Sequence, residues 1–478
     1  MEAHFGNKLL QVLALVTITE LVAIYACTSF SEDFDVREHL STATRYEYGM
    51  LSTKKLVGDI GEPPSSCSPI HINLVARHGT RAPTKKRIRQ INGFAERIRD
   101  LGNSSLLAPN WMKDWKSPWH GRVVGGEVLQ KGEEEMFELG QRIRTRYSEI
   151  FKEPYHPDLY MISATQVPRS AASAVAFGMG LFSGEGTLGQ GRHRAFSVIS
   201  DSRTHDIHLR FYESCSAYQE SKAKAIPVVA ALQEDFHMDI ASSLKERFLF
   251  NITKEDIPTL WFLCKQEAAA LDIVDRSCSL FTEEEVEMLE WADDLEVHKL
   301  KGYGESINYR MGIPLLTNVL ESMERVIAAS KAGHAWSAVE KAHLRFAHAE
   351  TVIPFICLLG LFLDAEEVQK ILMEAPLEPP PRPPKTRLWR GSAVAPYGAN
   401  NMVVLHKCSS NKDGSQEEED DFRVQVLHNE RSVALPGCNG THLCPFQVFK
   451  EQVVVPHLKY NFHSLCSLQK TQEKHDEL

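Results

Sequence analysis

The sequence predicts an α/β protein whose mostly parallel sheet is flanked by helices and interrupted by a smaller α-helical subdomain. Three segments share one plan, in which an apolar strand ends in a polar turn and a helix follows. Strands that alternate with helices favour a parallel sheet. Residues 185–310 break this plan with polar, helical sequence, which indicates an insertion.

The three strands are predicted at residues 69–76, 159–162 and 344–347, each with alternating or continuous apolar character. Ligands of such sheets bind beyond the carboxyl ends of the strands. We therefore expect the three polar turns to lie together at one edge. Two later segments, NMVVLHKC and FRVQVLHNERSVALPG, predict antiparallel strands. The α/β domain is thus predicted in two parts, residues 29–184 and 311–474.

The bulk composition is that of a globular protein. The 478 residues carry a net charge of −10, with 24% charged and 43% hydrophobic residues. This negative charge argues against nucleic acid as a partner, so any basic patch must be local.

The first 28 residues predict a secretory signal peptide. Lys8 precedes a short apolar run that Glu20 interrupts. A spanning helix needs about 20 apolar residues, so a retained signal anchor is the less favoured alternative. No later segment is apolar enough to cross a bilayer, and we expect no stable membrane span.

Residues 475–478 read HDEL, the tetrapeptide that a receptor reads for retention in the endoplasmic reticulum. We expect the protein in that lumen, with partial secretion, and the retention-signal receptor as a partner. Sequons at Asn103, Asn251 and Asn439 agree with glycosylation there.

Residues 77–83, RHGTRAP, concentrate cationic groups at the end of the first strand. Guanidinium groups bind phosphate oxygens through paired, charge-assisted hydrogen bonds, and a helix N-terminus adds free N–H donors. Gly79 lets the backbone approach a ligand closely. The neighbouring cations should lower the pKa of His78 and keep its ring a neutral nucleophile. The alternative is that Arg77 and Arg81 pair with carboxylates and that the histidine caps the helix.

This string resembles the RHGxRxP signature of the histidine acid phosphatases, in the branch that includes phytases. SATQVPRSAASAVAF resembles the family segment that supplies a third phosphate-binding arginine, here Arg169, and residues 209–215 (LRFYESC) resemble a segment ahead of a disulfide cysteine. Residues 348–350 read His-Ala-Glu where most members have His-Asp, a variant that resembles the lumenal multiple inositol polyphosphate phosphatases. The resemblance covers roughly residues 65–470 and implies a phosphoglycerate-mutase-like fold.

The resemblance implies a phosphomonoester hydrolase that acts on inositol hexakisphosphate and lower inositol polyphosphates, with 2,3-bisphosphoglycerate as a further substrate. His78 would form a phosphohistidine, and Glu350 would protonate the leaving oxygen. The residues implied to bind the substrate phosphates are Arg77, Arg81, Arg169, His348 and Lys86. We expect no metal or other cofactor, because guanidinium groups neutralise the transferring phosphoryl group.

Other roles are open for several of these residues. Glu350 could instead stabilise the dipole of the third helix, Arg169 could be a surface arginine, and His348 a packed strand-end histidine. Lys85 and Lys86 could be solvated helix residues. For the whole chain, the alternatives are a broad-specificity histidine acid phosphatase and a non-catalytic phosphate-binding lumenal protein.

Glu350 faces a conflict as a general acid. Nearby arginines should lower its pKa, whereas a bound phosphate dianion should raise it. We therefore expect it to carry a proton only when substrate is bound, so that activity declines as the pH rises towards neutral.

The sequence has ten cysteines, of which Cys27 falls in the signal peptide. An oxidising lumen favours disulfides. The residues alone indicate local pairs at 264/278 and 438/444, leave the others open, and suggest that Cys357, in an apolar run, is unpaired. The pairs that the resemblance implies are Cys67–Cys408, Cys215–Cys466, Cys264–Cys278 and Cys438–Cys444.

Overall fold

The computed structural model describes residues 34–58, 61, 63–335, 338–374, 377, 380, 382–409 and 421–468. The signal peptide predicted at residues 1–28 and the HDEL sequence at 475–478 lie outside the described residues. The chain divides into two compact units. The larger unit comprises Leu40–Ala82, Gly126–Leu232 and Glu290–Leu478.

Within the described residues, seven strands form one mixed sheet, which belongs to the larger unit. The strands are β1 (Cys67–Arg77), β2 (Tyr160–Ala164), β3 (Ala342–Ala347), β4 (Asn400–Cys408), β5 (Asp421–His428), β6 (Arg431–Val433) and β7 (Cys444–Pro445). Their order is β2-β3-β1-β4-β5-β6, and β7 pairs with β5. β2, β3 and β1 are mutually parallel, whereas every pairing of β4, β5, β6 and β7 is antiparallel.

The described α-helices are α1 (Tyr46–Val57), α2 (Lys85–Ser104), α3 (Asn110–Lys113), α4 (Gln130–Arg146), α5 (Pro168–Leu181), α6 (Phe211–Ser214), α7 (Ser216–Phe248), α8 (Ile257–Gln266), α9 (Glu283–Lys301), α10 (Ile307–Arg310), α11 (Ile313–Lys331), α12 (Ala349–Leu358), α13 (Ala365–Leu372), α14 (Gly391–Val394), α15 (Phe446–Val448), α16 (Val455–Leu458) and α17 (Phe462–Cys466). Short 3-10 helices are Val36–Glu38, Ser41–Ala43, Ile150–Lys152, Ser277–Leu280 and Pro436–Cys438, and π-helical turns are Glu267–Leu271 and Phe449–Val454.

The predicted α/β class is confirmed, as are the parallel first three strands and the antiparallel late ones. Residues 185–210 contain turns and isolated bridges, and the helical stretch begins only at Phe211. The predicted domain boundaries stay a prediction.

The sheet of the larger unit has a hydrophobic core on each face. Because side chains alternate along a strand, Ile72 and Leu74 of β1 join a cluster with α4 and α5, whereas Val75 joins a cluster with α11 and α12. Each fully buried aliphatic side chain contributes about 1.5–3 kcal/mol relative to exposure. Cover on both faces holds the strand ends in fixed positions.

The smaller unit comprises Met1–His39, Pro83–Gly125 and Gln233–Leu289. Its helix α2 buries Ile88, Ile91 and Ile98 along one face, at the helical spacing seen in the sequence. Arg97 of α2 forms a 2.7 Å ion pair with Asp256, which precedes α8.

The disulfides also match expectation. All four pairs implied by the resemblance are present, and Cys357 is unpaired and buried. In the part of the chain that the structure describes, no helix has the length and apolarity to cross a membrane.

Candidate active site

The three polar turns meet at one sheet edge, as the parallel order of β2, β3 and β1 requires. The His78 amide donates to the Ala347 carbonyl at the end of β3, over 3.1 Å, and the Thr165 amide after β2 donates to the Phe346 carbonyl over 3.0 Å. Adjacent parallel strands thus deliver residues from distant parts of the sequence to one place.

The RHGTRAP turn is held against helix α4. Gly79 lies so close to this helix that a Cβ atom there would be 2.2 Å from the Gly132 carbonyl oxygen. The buried Glu135 carboxylate accepts from the Thr80 amide over 2.9 Å and from its hydroxyl over 2.8 Å. Burial raises the pKa of Glu135, against the lowering effect of these hydrogen bonds. The Glu135 carboxylate therefore holds the turn through two hydrogen bonds, and the Ser173 hydroxyl accepts a third from the Gly79 amide over 3.1 Å.

His78 is buried, with 3% of its surface exposed. Its Nδ1 lies 2.9 Å from the Gly79 carbonyl oxygen, which can only accept, so Nδ1 carries the proton. Burial lowers the pKa of His78 well below its ordinary value, and the charge of Arg77 lowers it further. The ring is thus neutral, with a lone pair on Nε2.

The positive charges of three arginines act on this imidazole and lower its pKa: those of Arg77, Arg81 and Arg169. Arg77 is anchored, since Nη1 donates to the Thr42 and Ala395 carbonyls over 2.5 and 2.7 Å and the guanidinium stacks 4.3 Å from the Tyr397 ring centre. Among the described residues, none of the three arginines has a carboxylate within ion-pair distance, and each has a buried Nε without a hydrogen-bond partner. Guanidinium groups without a carboxylate partner suit an anionic ligand.

His348 orients Arg169. Arg169 Nη2 lies 3.1 Å from His348 Nδ1, and since a guanidinium only donates, Nδ1 accepts. Nε2 then carries the proton and donates to the Thr165 hydroxyl over 3.0 Å. Burial and the Arg169 charge lower the pKa of His348 to about 3, in agreement with a neutral ring. The His78 and His348 ring centres are 5.5 Å apart.

Arg210 is a fourth arginine near the site and lies next to His348. Its Nη1 lies 3.3 Å from His348 Nε2, which already donates, so this nitrogen does not serve Arg210 as an acceptor. Nη2 pairs with Glu213, and the buried Nε has no partner in the described residues. Arg210 therefore has donor capacity left over.

Glu350 lies in the first turn of α12, where its Oε1 is 2.9 Å from Lys301 Nζ. Burial raises the pKa of this carboxyl, but the charge and the hydrogen bond of the Lys301 ammonium outweigh it and hold the pKa well below the usual range. Its side chain keeps 31% of its surface exposed. Glu350 is within electrostatic reach of Arg77 and Arg169.

The structure thus brings together His78, Arg77, Arg81, Arg169, His348 and Glu350. Lys86 belongs to the smaller unit, where it is exposed in the first turn of α2, and its role stays a prediction.

Three neighbours were not anticipated from the sequence: Glu135, Arg210 and Lys301. The sequence did indicate that Glu135 is buried, because it falls on the same helical face as Met136 and Leu139, whereas the neighbouring acidic residues do not. Arg210 stands inside LRFYESC, whose resemblance had drawn attention only to the cysteine. Lys301, at the end of α9, carries no local signal.

Proteins of similar sequence and structure are known. The chain is 28% identical over 457 residues to multiple inositol polyphosphate phosphatase 1 of Dictyostelium discoideum, covering 85% of this chain and 69% of that protein. It is 25% identical over 386 residues to multiple inositol polyphosphate phosphatase 1 of Homo sapiens, covering 77% and 76%.

Solved structures share the fold. The phytase from D. castellii superposes with a TM-score of 0.69 at 16% identity, covering 92% of this chain and 89% of that one. The Bifidobacterium longum multiple inositol polyphosphate phosphatase, in complex with inositol hexasulfate, gives a TM-score of 0.61 at 16% identity, covering 88% and 98%. The family model of the histidine phosphatase superfamily (branch 2) matches residues 70–429, from β1 to the end of the β5 region. With three quarters of its length matched and the signature turn assembled at the sheet edge, this chain belongs to the histidine phosphatase superfamily, branch 2.

Proposed function

We propose that the protein is a phosphomonoester hydrolase that removes phosphate groups from inositol hexakisphosphate and lower inositol polyphosphates through a phosphohistidine. Relatives named multiple inositol polyphosphate phosphatase 1 support the substrate class, and 2,3-bisphosphoglycerate is a further candidate. The observation that carries the proposal is the His78 ring, whose Nδ1–H bond to the Gly79 carbonyl leaves the Nε2 lone pair free, close to arginines that have no carboxylate partner among the described residues.

In the first step, the Nε2 lone pair of His78 attacks phosphorus and forms the P–N bond as the P–O ester bond breaks. Arg77, Arg81 and Arg169 stabilise the charge on the non-bridging oxygens. His348 keeps Arg169 aimed at them, and its own contact with the phosphate stays a prediction. Glu350 gives its proton to the departing alkoxide.

In the second step, water attacks phosphorus and the P–N bond breaks. Glu350, now a carboxylate, accepts the proton from the water. Inorganic phosphate leaves, and the His78 ring returns to its neutral state. Each turnover consumes one water and leaves the chain unchanged.

A broad-specificity acid phosphatase is the second candidate function, since nothing in these two steps requires an inositol ring. Arg210, Lys222 and Lys301 add three cations near the three arginines, against the carboxylates of Glu213 and Glu350, and this excess of positive charge favours a substrate with more than one phosphate. A non-catalytic phosphate-binding protein would not need an unprotonated imidazole nitrogen directed to the ligand.

Acid-quenched trapping with ³²P-labelled inositol hexakisphosphate tests the proposal. Wild type should yield an acid-labile phosphoprotein and release phosphate, and His78→Ala should do neither. His156→Ala, which changes an exposed histidine, is the matched control and should behave as wild type. Equal release by wild type and His78→Ala would rule out the phosphohistidine, and release by neither would favour the binding protein.

We further propose residence in the lumen of the endoplasmic reticulum, with an N-terminal signal peptide, recognition by the retention-signal receptor, and N-glycosylation. The sequon residues Asn103, Asn251 and Asn439 are exposed, which supports glycan attachment. Deletion of residues 475–478 should move the protein into the medium of expressing cells, and glycosidase treatment should lower its apparent mass. An unchanged intracellular fraction would contradict receptor-based retention.

A further inference from the structure

Lys301 and Glu350 form an ion pair, and Glu350 follows His348, whose ring lies 5.5 Å from that of His78, by two residues. Lys301 is the last residue of α9, and its ammonium lies 2.9 Å from Glu350 Oε1. The two side chains are 19% and 31% exposed, so solvent and ligands can reach the pair. Both residues belong to the larger unit.

This ion pair conflicts with the role proposed for Glu350. An ammonium group can only donate hydrogen bonds, so Oε1 accepts from Lys301 as long as the pair persists. A carboxylate paired in this way strongly resists protonation. Lys301 must therefore leave Glu350 before that residue can carry a proton to a leaving group.

The surroundings of Glu350 show what could draw Lys301 away. Besides Lys301, several charged and titratable groups interact electrostatically with Glu350. They are Arg77 of β1, Arg169 of α5, Tyr212 of α6, Tyr218 and Lys222 of α7, and His348 just before α12. The neighbours that carry charge are thus cations. Lys222 and Lys301 repel each other, and Lys222 is attracted by Glu350 and also by Glu296. A dianionic phosphate would be a stronger partner for either ammonium than Glu350 is.

We propose that Lys301 is a positioning residue that exchanges Glu350 for a second phosphate group of the substrate, next to the one being cleaved. The flexible four-carbon stem of lysine permits such a movement. Release of the carboxylate allows Glu350 to take up the proton that the leaving alkoxide needs. The protein therefore selects polyphosphorylated substrates through the acid step as well as through binding. This inference rests on the proposed function.

Three substrates separate the two effects. Inositol hexakisphosphate offers a neighbouring phosphate, glycerol 2-phosphate has an alkoxide leaving group and no second phosphate, and 4-nitrophenyl phosphate has a leaving group that needs little protonation. The measurements are KM and the pH dependence of kcat for wild type, Lys301→Met, Lys301→Gln and Lys301→Arg. The matched control is Lys299→Met, which removes a lysine two residues earlier in α9.

For Lys301→Met, KM for inositol hexakisphosphate should rise about 10-fold to 100-fold, because a charge-assisted contact is lost. The ratio of kcat for glycerol 2-phosphate to kcat for 4-nitrophenyl phosphate should rise about tenfold near pH 5, because a carboxyl without its cation protonates about one pH unit higher. The decline of kcat for glycerol 2-phosphate with rising pH should shift upwards by the same amount. Lys301→Gln should behave alike, and Lys301→Arg should recover the affinity for inositol hexakisphosphate.

These readouts are a KM, a ratio and a pH midpoint, so they do not depend on how much of a variant folds. An unchanged KM for inositol hexakisphosphate, or a kcat ratio that stays the same or falls, would overturn the exchange and leave Lys301 a structural partner of Glu350. The proposed function fails separately, if wild type itself releases no phosphate from inositol hexakisphosphate, and that outcome would overturn both proposals.

Discussion

Replacing Gly79 with alanine should force the signature turn away from helix α4. The added Cβ would lie 2.2 Å from the Gly132 carbonyl oxygen and 2.7 Å from its carbon, well inside the 3.4 Å at which ordinary contact begins. The atoms in the way are backbone atoms, which cannot rotate aside as a side chain can. Gly132 is equally constrained, since a Cβ there would be 2.2 Å from the Thr80 carbonyl oxygen.

Two magnitudes follow from this overlap. Overpacking of this kind typically costs about 1–3 kcal/mol in the free energy of unfolding. A shift of about 1 Å in the His78 ring can cost about 100-fold in kcat, because the nucleophile must be aligned with phosphorus. Denaturant unfolding measures the first quantity, and steady-state release of phosphate from inositol hexakisphosphate measures the second.

Gly93→Ala provides the matched control. Gly93 is exposed to solvent and lies in the middle of α2, with no atom within 4 Å of an added Cβ. Because alanine favours the helix by about 1 kcal/mol over glycine, this change should stabilise the protein slightly and leave kcat as in wild type. If Gly79→Ala retained both the unfolding midpoint and the kcat of wild type, the close approach to Gly132 would not be what holds the turn.

Three further predictions concern the proposed acid Glu350, the fourth arginine Arg210 and two buried histidines. Glu350→Gln should lower kcat for inositol hexakisphosphate by about 10²–10⁴-fold and kcat for 4-nitrophenyl phosphate far less; equal losses would argue against an acid role. Arg210→Met should raise KM for inositol hexakisphosphate about tenfold or more, and an unchanged KM would exclude contact with substrate. Burial lowers the pKa of His71 to about 3 and of His428 to about 4. Below about pH 6.5 the unfolded chain therefore binds more protons than the folded one, and each histidine should lower the free energy of unfolding by about 2 kcal/mol at pH 5. Denaturant titrations at pH 7 and pH 5 would detect this loss, and a stability that does not change with pH would contradict it.

The sequence alone was enough to predict the cluster of turns. Each turn follows a strand, and parallel neighbours bring their carboxyl ends to one edge, so His78, Arg169 and His348 are expected together from the sequence. The direction of the His78 pKa shift was predicted from Arg77 and Arg81 beside it in the sequence, but its largest cause is burial, which the fold supplies.

The partners of these residues could not be predicted. Lys301 reaches Glu350 only because α9 happens to end beside the start of α12, a tertiary contact without a periodic pattern. The direction of the His348 hydrogen bonds likewise depends on where Thr165 and Arg169 place their side chains. Local pattern identifies the groups that do chemistry, whereas the charges that regulate them come from the packing of distant elements.

The position of β1 in the sheet has a consequence for how the molecule is made. Both of its hydrogen-bonded neighbours, β3 and β4, are synthesised much later, and the disulfide from Cys67 must await Cys408, 341 residues further along. A growing polypeptide therefore exposes this apolar strand for most of its synthesis, a state prone to aggregation. A premature stop shortly before residue 400 would keep His78, Arg169 and Glu350 but remove β4. Strand β1 would then have one edge without a hydrogen-bonded neighbour, so such a product should be degraded rather than weakly active.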